Sequence, residues 1–172
     1  MGVLKRMRSG EYSNSEAVSN VVHYILWDRS SEQDTSRLVS IGGCGVAYYD
    51  SPETCILQME RVQYAYGITS RGGKRLLHEI YELTPQESGL LMHDRKRLME
   101  LSFWMANFYY EQGHQVLYAV HEGNGGYHIH FAVNAVNFRN GHKWRDNAEL
   151  FRERGACFER ILNQIVSIHE DL

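Results

Sequence analysis

Cysteine is scarce and odd in number: Cys44, Cys55 and Cys157 stand far apart, with no Cys-x-x-Cys pair. That argues against a disulfide framework or a cysteine zinc site and fits a reducing cytoplasm. No apolar run approaches the ~20 residues that cross a bilayer, and the first ten residues lack a signal peptide's hydrophobic centre. The expectation is a soluble, cytoplasmic chain with no membrane insertion. Proline occurs twice, at Pro52 and Pro85, each placed to open a helix. Excess positive charge is also missing. The formal charge is −3; residues 1–145 carry 15 Lys/Arg and 15 Asp/Glu, and residues 146–172 carry 3 against 6. This argues against a generic DNA-coating protein. The basic groups are local: Lys5-Arg6-x-Arg8, Arg71-x-x-Lys74-Arg75, Arg95-Lys96-Arg97, and Arg139 with Lys143 and Arg145. Each reads either as a cluster that tracks phosphates or as solvated surface.

What is present suits one domain spanning residues 1–172, with 43% hydrophobic and 23% charged residues. Tyrosine is abundant, with 11 copies. Ser13-Asn14-Ser15-Glu16 offers N-cap residues for a helix to about Asp28, whose apolar arc is Ala17, Val18, Val21, Val22, Ile25 and Leu26. Tyr24 falls at the edge of that arc beside Asn20 and Trp27, and His23 points further out. A strand at 38–41 precedes Gly42-Gly43-Cys44-Gly45, which reads as a turn or a close backbone approach. A second helix starts at Ser51-Pro52, and Arg71-Gly72-Gly73-Lys74 turns into a strand at 75–83. A third helical region runs from Thr84-Pro85 to about Gln112, interrupted near 89–93 and ended by Gly113. Strands at 114–121 and 126–137 are joined by Glu122-Gly123-Asn124-Gly125, and a last helix covers about 146–168. This order, without regular βαβ units, predicts an α+β sandwich with a mainly antiparallel central sheet flanked by helices.

The most informative stretch is Tyr127-His128-Ile129-His130-Phe131-Ala132-Val133-Asn134. Strand alternation puts His128, His130, Ala132 and Asn134 on one face, with Tyr127, Ile129, Phe131 and Val133 on the core face. On the preceding strand Leu117, Ala119 and His121 share a face. The hairpin can therefore bring His121, His128 and His130 to one ion. A lone histidine is more often a satisfied surface or core residue; three at this spacing favour a metal. A cupin would continue to a glutamate, whereas this strand continues to Asn134. On ligand grounds three imidazoles suit zinc, manganese, nickel or iron.

His121 followed by His128-Ile129-His130-Phe131-Ala132-Val133-Asn134 resembles the metal motif of relaxases. These are the mobilisation nucleases of plasmids and integrative elements, within the HUH endonucleases. The continuation Ala135-Val136-Asn137-Phe138-Arg139-Asn140-Gly141-His142-Lys143-Trp144 is similar to the relaxase segment that follows that motif. Asn20-Val21-Val22-His23-Tyr24-Ile25-Leu26 resembles the family's tyrosine helix, and Leu76-Leu77-His78-Glu79-Ile80 the strand between. The matches fall in the family's order. Where relaxases often have an aspartate after the first histidine, this chain has Glu122. Trp27-Asp28-Arg29 stands where an Asn-Pro step often follows the tyrosine helix. Relaxases are usually longer, so the chain is expected to be an isolated nuclease domain or a compact member.

The resemblance implies nicking of single-stranded or hairpin DNA at a transfer origin by tyrosine transesterification, leaving a 5′-phosphotyrosine and a free 3′ hydroxyl. It implies a divalent ion, Mn2+ or Mg2+ first and Zn2+ or Ni2+ as alternatives, with auxiliary relaxosome proteins and a coupling protein as partners. Tyr24 is the implied nucleophile, against the plain reading of a tyrosine at a core edge. Tyr12 is the reserve, and His23 is a competitor because some mobilisation relaxases use histidine. His78 reads either as a partner of the phosphate or a metal ligand, or as a buried histidine satisfied by backbone. Glu122 could orient His121, and Asn134 could support the ligands. Arg139, Lys143 and Arg145 are candidate phosphate contacts, and Trp27, Trp144 and Tyr127 candidate base-stacking rings. The competing readings are a rolling-circle initiator or transposase of the HUH type, a non-catalytic metal-bound DNA-binding module, and a small-substrate metal hydrolase.

Overall fold

A computed structural model describes residues 2–7, 10–27, 37–68, 72–123 and 125–167. Five strands form one sheet in the order β1-β3-β5-β4-β2, and every named pairing is antiparallel. The strands are β1 (Val3–Arg6), β2 (Leu38–Cys44), β3 (Leu76–Glu82), β4 (Val116–Gly123) and β5 (Gly126–Asn134). The helices are α1 (Ala17–Leu26), α2 (Pro52–Ala65), α3 (Pro85–Leu91), α4 (Arg95–Glu111) and α5 (Ala148–Ser167). This is the expected α+β sandwich.

The central hairpin follows from its turn. Gly123 pairs with Gly126, and Gly125 between them has φ +79°, which a residue with a Cβ rarely adopts. That turn sets His121 directly opposite His128 and Ala119 opposite His130. A slip of β5 by one residue would turn His128 and His130 to the opposite face, away from His121.

Both faces of the sheet are covered. On the histidine face α1 buries Val18, Val21, Val22, Ile25 and Leu26 with Cys55 and Met59 of α2 against Leu76, Leu117, Ala119 and Ala132. On the other face α3, α4 and α5 pack Leu91, Leu98, Leu101, Met105, Tyr109, Phe158 and Leu162 over Tyr118, Val120, Ile129, Phe131 and Val133. The interruption expected near 89–93 is the α3–α4 break. Thr84 forms a capping box with Glu87 at the start of α3, and Asp94 caps α4 by accepting from the Arg97 amide.

Three expectations change. β1 was not foreseen; it is a four-residue edge strand with Lys5 and Arg6 in its short run. Gly42 to Cys44 continue β2 rather than turning. A Cβ on Gly42 would meet the Tyr118 hydroxyl at 2.2 Å, so glycine is there to admit that ring, and the turn begins at Gly45. Glu122 lies within β4 rather than in a loop. The end of the last helix beyond residue 167, at Ile168, lies outside the described residues.

Beneath the α4/α5 layer lies a buried ionic cluster. Glu79 of β3, fully buried, accepts from Arg154 of α5 through both oxygens (3.0 and 2.9 Å), from Tyr109 Oη (2.7 Å) and from Arg6 (3.0 Å). Asp146 accepts from Arg154 (2.6 Å) and pairs with Arg6. Two cations thus meet two anions, and the cluster ties β1, β3, α4 and α5 together. Removing one member strands a buried charge, which costs far more than the net worth of the pair. Glu79→Ala should therefore destabilise the protein by about 3–5 kcal/mol in urea denaturation. Glu79→Leu combined with Arg154→Leu should recover most of that loss. A loss below about 1 kcal/mol for Glu79→Ala would show that the cluster is not a structural clamp.

Candidate metal centre

The hairpin register brings His121, His128 and His130 together, each offering a nitrogen within 4.8 Å of the others. Ring centroids are 4.6 Å apart for His121 and His130, 5.0 Å for His128 and His130, and 5.5 Å for His121 and His128. The electrostatics suit ligands. Burial, then the neighbouring His78, His121 and His128, pushes the His130 pKa down to about 2. Burial and then His121 lower that of His128, with Arg37 and Lys5 contributing. Both imidazoles are therefore neutral at physiological pH, the form that binds an ion.

Hydrogen bonding favours an ion on His130. Its Nε2 is buried with no hydrogen-bond partner, while its Nδ1 lies 3.0 Å from His78 Nε2. A buried ring nitrogen left without a partner is costly unless something else accepts its lone pair. If Nε2 faces an ion, Nδ1 carries the proton and donates to His78 Nε2. His78 then carries its proton on Nδ1, which lies 3.3 Å from the Tyr12 hydroxyl. The second ring nitrogen of a metal-bound histidine is commonly held this way, which fixes both tautomer and ring orientation. His121 is held from the other side: its Nε2–H donates to the carbonyl of Ile25 in α1 (2.6 Å). The three residues therefore fit a divalent ion, and the polar atoms around them have assigned roles.

Tyr24 and His23 separate cleanly. Tyr24 projects toward the sheet, its ring edge-on 5.4 Å from His78 and 5.9 Å from His130. His23 turns toward α2, stacked on Trp27 at 4.5 Å with planes 5° apart, and Glu53 lies 3.7 Å from it. Because Ile25 O binds His121, the residue next to Tyr24 pins the helix to the metal cluster and sets where Tyr24 points.

Other residues singled out in the sequence lie elsewhere. Glu122 is exposed and pairs with Tyr127, so it points to the face opposite His121, and Ile25 rather than Glu122 holds that histidine. Asn134 shares the histidine face but stands about 13 Å further along the strand from His130. Its amide is spent on Met59 O, Gln115, Gln63 and the Val136 amide, which bolt α2 and β4 to β5. Tyr127 is 7% exposed and packs in the opposite core, leaving no face for a base. Trp144 is partly buried and packs against Tyr109, His114 and Arg154. Trp27 has one face taken by His23.

Arg139 donates to the Glu111 carbonyl at the end of α4, and Lys143 to that of Gly72. Both, with the exposed Arg145, belong to the segment after β5, at the sheet end away from the hairpin turn. The cations whose fields reach His128 are Lys5 and Arg37, which stand far from the histidines in sequence. Lys5 also lines a 460 Å³ groove with Ile80, Glu82, Gly126 and His128. Lys5 belongs to a basic group noted in the sequence, but its place beside His128 depends on β1, and Arg37 precedes β2, so neither neighbourhood could be read from spacing. Arg8 and Arg71 lie outside the described residues.

His78 should matter through His130. His78→Ala should weaken Mn2+ binding about 10–100-fold in isothermal titration calorimetry, with the fold unchanged by circular dichroism. An unchanged affinity would mean that the His78–His130 contact does not set the ligand's orientation.

No helix among the described residues is long and apolar enough to cross a membrane. No curated protein matches the chain. A family model, described as the MobA/VirD2-like nuclease domain of relaxases, matches residues 20–164. That span begins within α1, four residues before Tyr24, takes in the histidine hairpin and ends within α5. Together with the antiparallel sandwich and the histidine cluster, it places the chain in the relaxase family, as a DNA-nicking nuclease domain of the MobA/VirD2-like type.

Proposed function

We propose that this protein nicks single-stranded DNA at the nick site of a transfer origin, using Tyr24 as nucleophile and a divalent ion held by His121, His128 and His130. The observation that carries the reading is the position of Tyr24, edge-on to both His78 and His130, while His23 is turned toward α2. Tyr12, the other candidate, is 8% exposed with its hydroxyl at His78, a supporting position rather than an attacking one.

The reaction exchanges one ester for another. The Tyr24 oxygen bonds to phosphorus, the bond from phosphorus to O3′ breaks with its electron pair, and the phenol proton ends on the released 3′ hydroxyl. No oxidant is needed and no water is consumed. A phenol has a pKa near ~10, so it attacks poorly unless the phosphate is made a better electrophile and the phenol is placed in line. A divalent ion would supply positive charge at a non-bridging oxygen of the phosphate. The chain's own task is placement. His78 and Tyr12 orient His130, Ile25 O orients His121, and α1 holds the phenol over the cluster. Because the phosphoester is conserved, the same residues can rejoin the ends, as conjugative transfer or mobilisation requires. Mn2+ or Mg2+ is the proposed ion, with Zn2+ or Ni2+ as alternatives. Relaxosome proteins and a coupling protein are the proposed partners, and they would add the positive charge that this chain lacks.

Oligonucleotides spanning both strands of a transfer origin, incubated with the protein and MnCl2, should give a covalent adduct that survives denaturation. Tyr24→Phe should abolish it and His23→Ala should leave it. An adduct that persists in Tyr24→Phe would displace Tyr24 as nucleophile. Metal binding with no adduct on either strand would favour a non-catalytic DNA-binding module.

A further inference from the structure

Beside the proposed nucleophile lies a cavity that the reaction chemistry leaves unassigned. It has a volume of 220 Å³ between the 3-10 turn at Gly10–Ser13, α1 and β3. Among the described residues its walls are Met7, Tyr12, Ala17, Asn20, Val21, Tyr24 and His78. Aliphatic surface comes from Met7, Ala17 and Val21, and aromatic surface from Tyr12, Tyr24 and His78. A cavity below the ~300–1,000 Å³ of drug-sized sites holds a single planar heterocycle rather than a whole nucleotide. Asn20 and Tyr24 lie four residues apart and so share one face of α1. The Asn20 side chain is exposed and makes no hydrogen bond to another described residue, which leaves one donor pair and one acceptor at the cavity. An amide of this kind matches the side-by-side donor and acceptor on a base edge.

We propose that this cavity receives the nucleobase immediately 3′ of the cleaved bond and that Asn20 reads its edge. The inference rests on the nicking reaction proposed above, and the polarity follows from in-line substitution. The leaving O3′ departs on the side of phosphorus opposite Tyr24, so the nucleotide that carries it cannot occupy a cavity walled by Tyr24. The nucleotide that keeps the phosphate hangs from an equatorial oxygen and is free to turn its base toward Tyr24, Asn20 and Met7. The leaving strand has its own concavity, the groove along Lys5, Ile80, Glu82 and His128, which Tyr24 does not line. The base bound beside Asn20 therefore stays tethered after cleavage, which holds the 5′ end in register for rejoining.

The test uses a library of single-stranded DNA with a randomised centre and a fixed 3′ arm, incubated with MnCl2 and wild type, Asn20→Ala or Met7→Trp. Adducts are isolated under denaturing conditions, and the tethered strands are read by primer extension and sequencing up to the phosphotyrosine. Wild type should show a strong base preference at the first tethered nucleotide. Asn20→Ala, at an exposed position, should flatten that preference about tenfold or more. Preferences elsewhere and Mn2+ affinity should be unchanged. Met7→Trp should flatten the same position by filling the cavity. An unchanged profile in both variants, or a wild-type profile with no preference at the first tethered nucleotide, overturns the cavity's assignment while the nicking reaction stands. No adduct with wild type overturns the nicking reading and the cavity's assignment with it.

Discussion

The hydrogen bond between His78 and His130 is the interaction on which the site depends. It joins β3 to β5 across the centre of the sheet, in a place where two imidazoles are buried and neither can turn to water. One proton must sit between them, so the orientation of one ring dictates that of the other. With Tyr12 at the far end, the chain of contacts runs from the 3-10 turn ahead of α1, through β3, to the histidine that lacks any other partner for Nε2. The segment carrying the proposed nucleophile is thus tied to the candidate metal cluster twice, through Tyr12 and through Ile25.

β3 does this on one face while its next residue does something different on the other. His78 points to the histidine cluster, and Glu79 points to Arg154, Tyr109 and Arg6. Two successive residues of one strand therefore fasten both helical layers, one by neutral hydrogen bonds and one by compensated charge. The division makes physical sense. A cationic substrate-activating site gains from neutral ligands that do not cancel the ion's charge, whereas a structural clamp gains from full compensation. The twist and register that serve one face serve the other, so the packing of α4 and α5 bears indirectly on the position of His130.

Much of this was legible in the sequence, for identifiable reasons. A strand's period of two and a short glycine-rich link are local features, so the convergence of His121, His128 and His130 could be read from spacing alone. The helical arc of α1 likewise separated Tyr24 from His23, because the direction of a side chain on a helix follows from its position. What could not be read was anything that depends on distant pairing. β1 is only four residues long, and two of them are charged. Gly42 and Gly43 looked like a turn because the sequence does not reveal the Tyr118 ring that needs the space at Gly42 or the Val46 side chain that packs against Gly43. Arg139 and Lys143 looked like phosphate contacts because proximity in sequence to His130 resembles proximity in space. β5 carries them instead to the opposite end of the sheet, where they cap backbone carbonyls. Asn134 shares the histidines' face, as alternation requires, but a shared face does not bring a residue four positions along the strand into reach of the ligands.

His121, His128 and His130, held by His78 and the Ile25 carbonyl, are proposed to form a metal centre beneath Tyr24. Anomalous diffraction from crystals grown with MnCl2 tests it most directly. A single manganese peak bonded to nitrogens of His121, His128 and His130 is expected, with the His78–His130 hydrogen bond intact and the Tyr24 hydroxyl facing the ion. A peak held by other residues, or His130 bound to the ion with its ring turned away from His78, would contradict it.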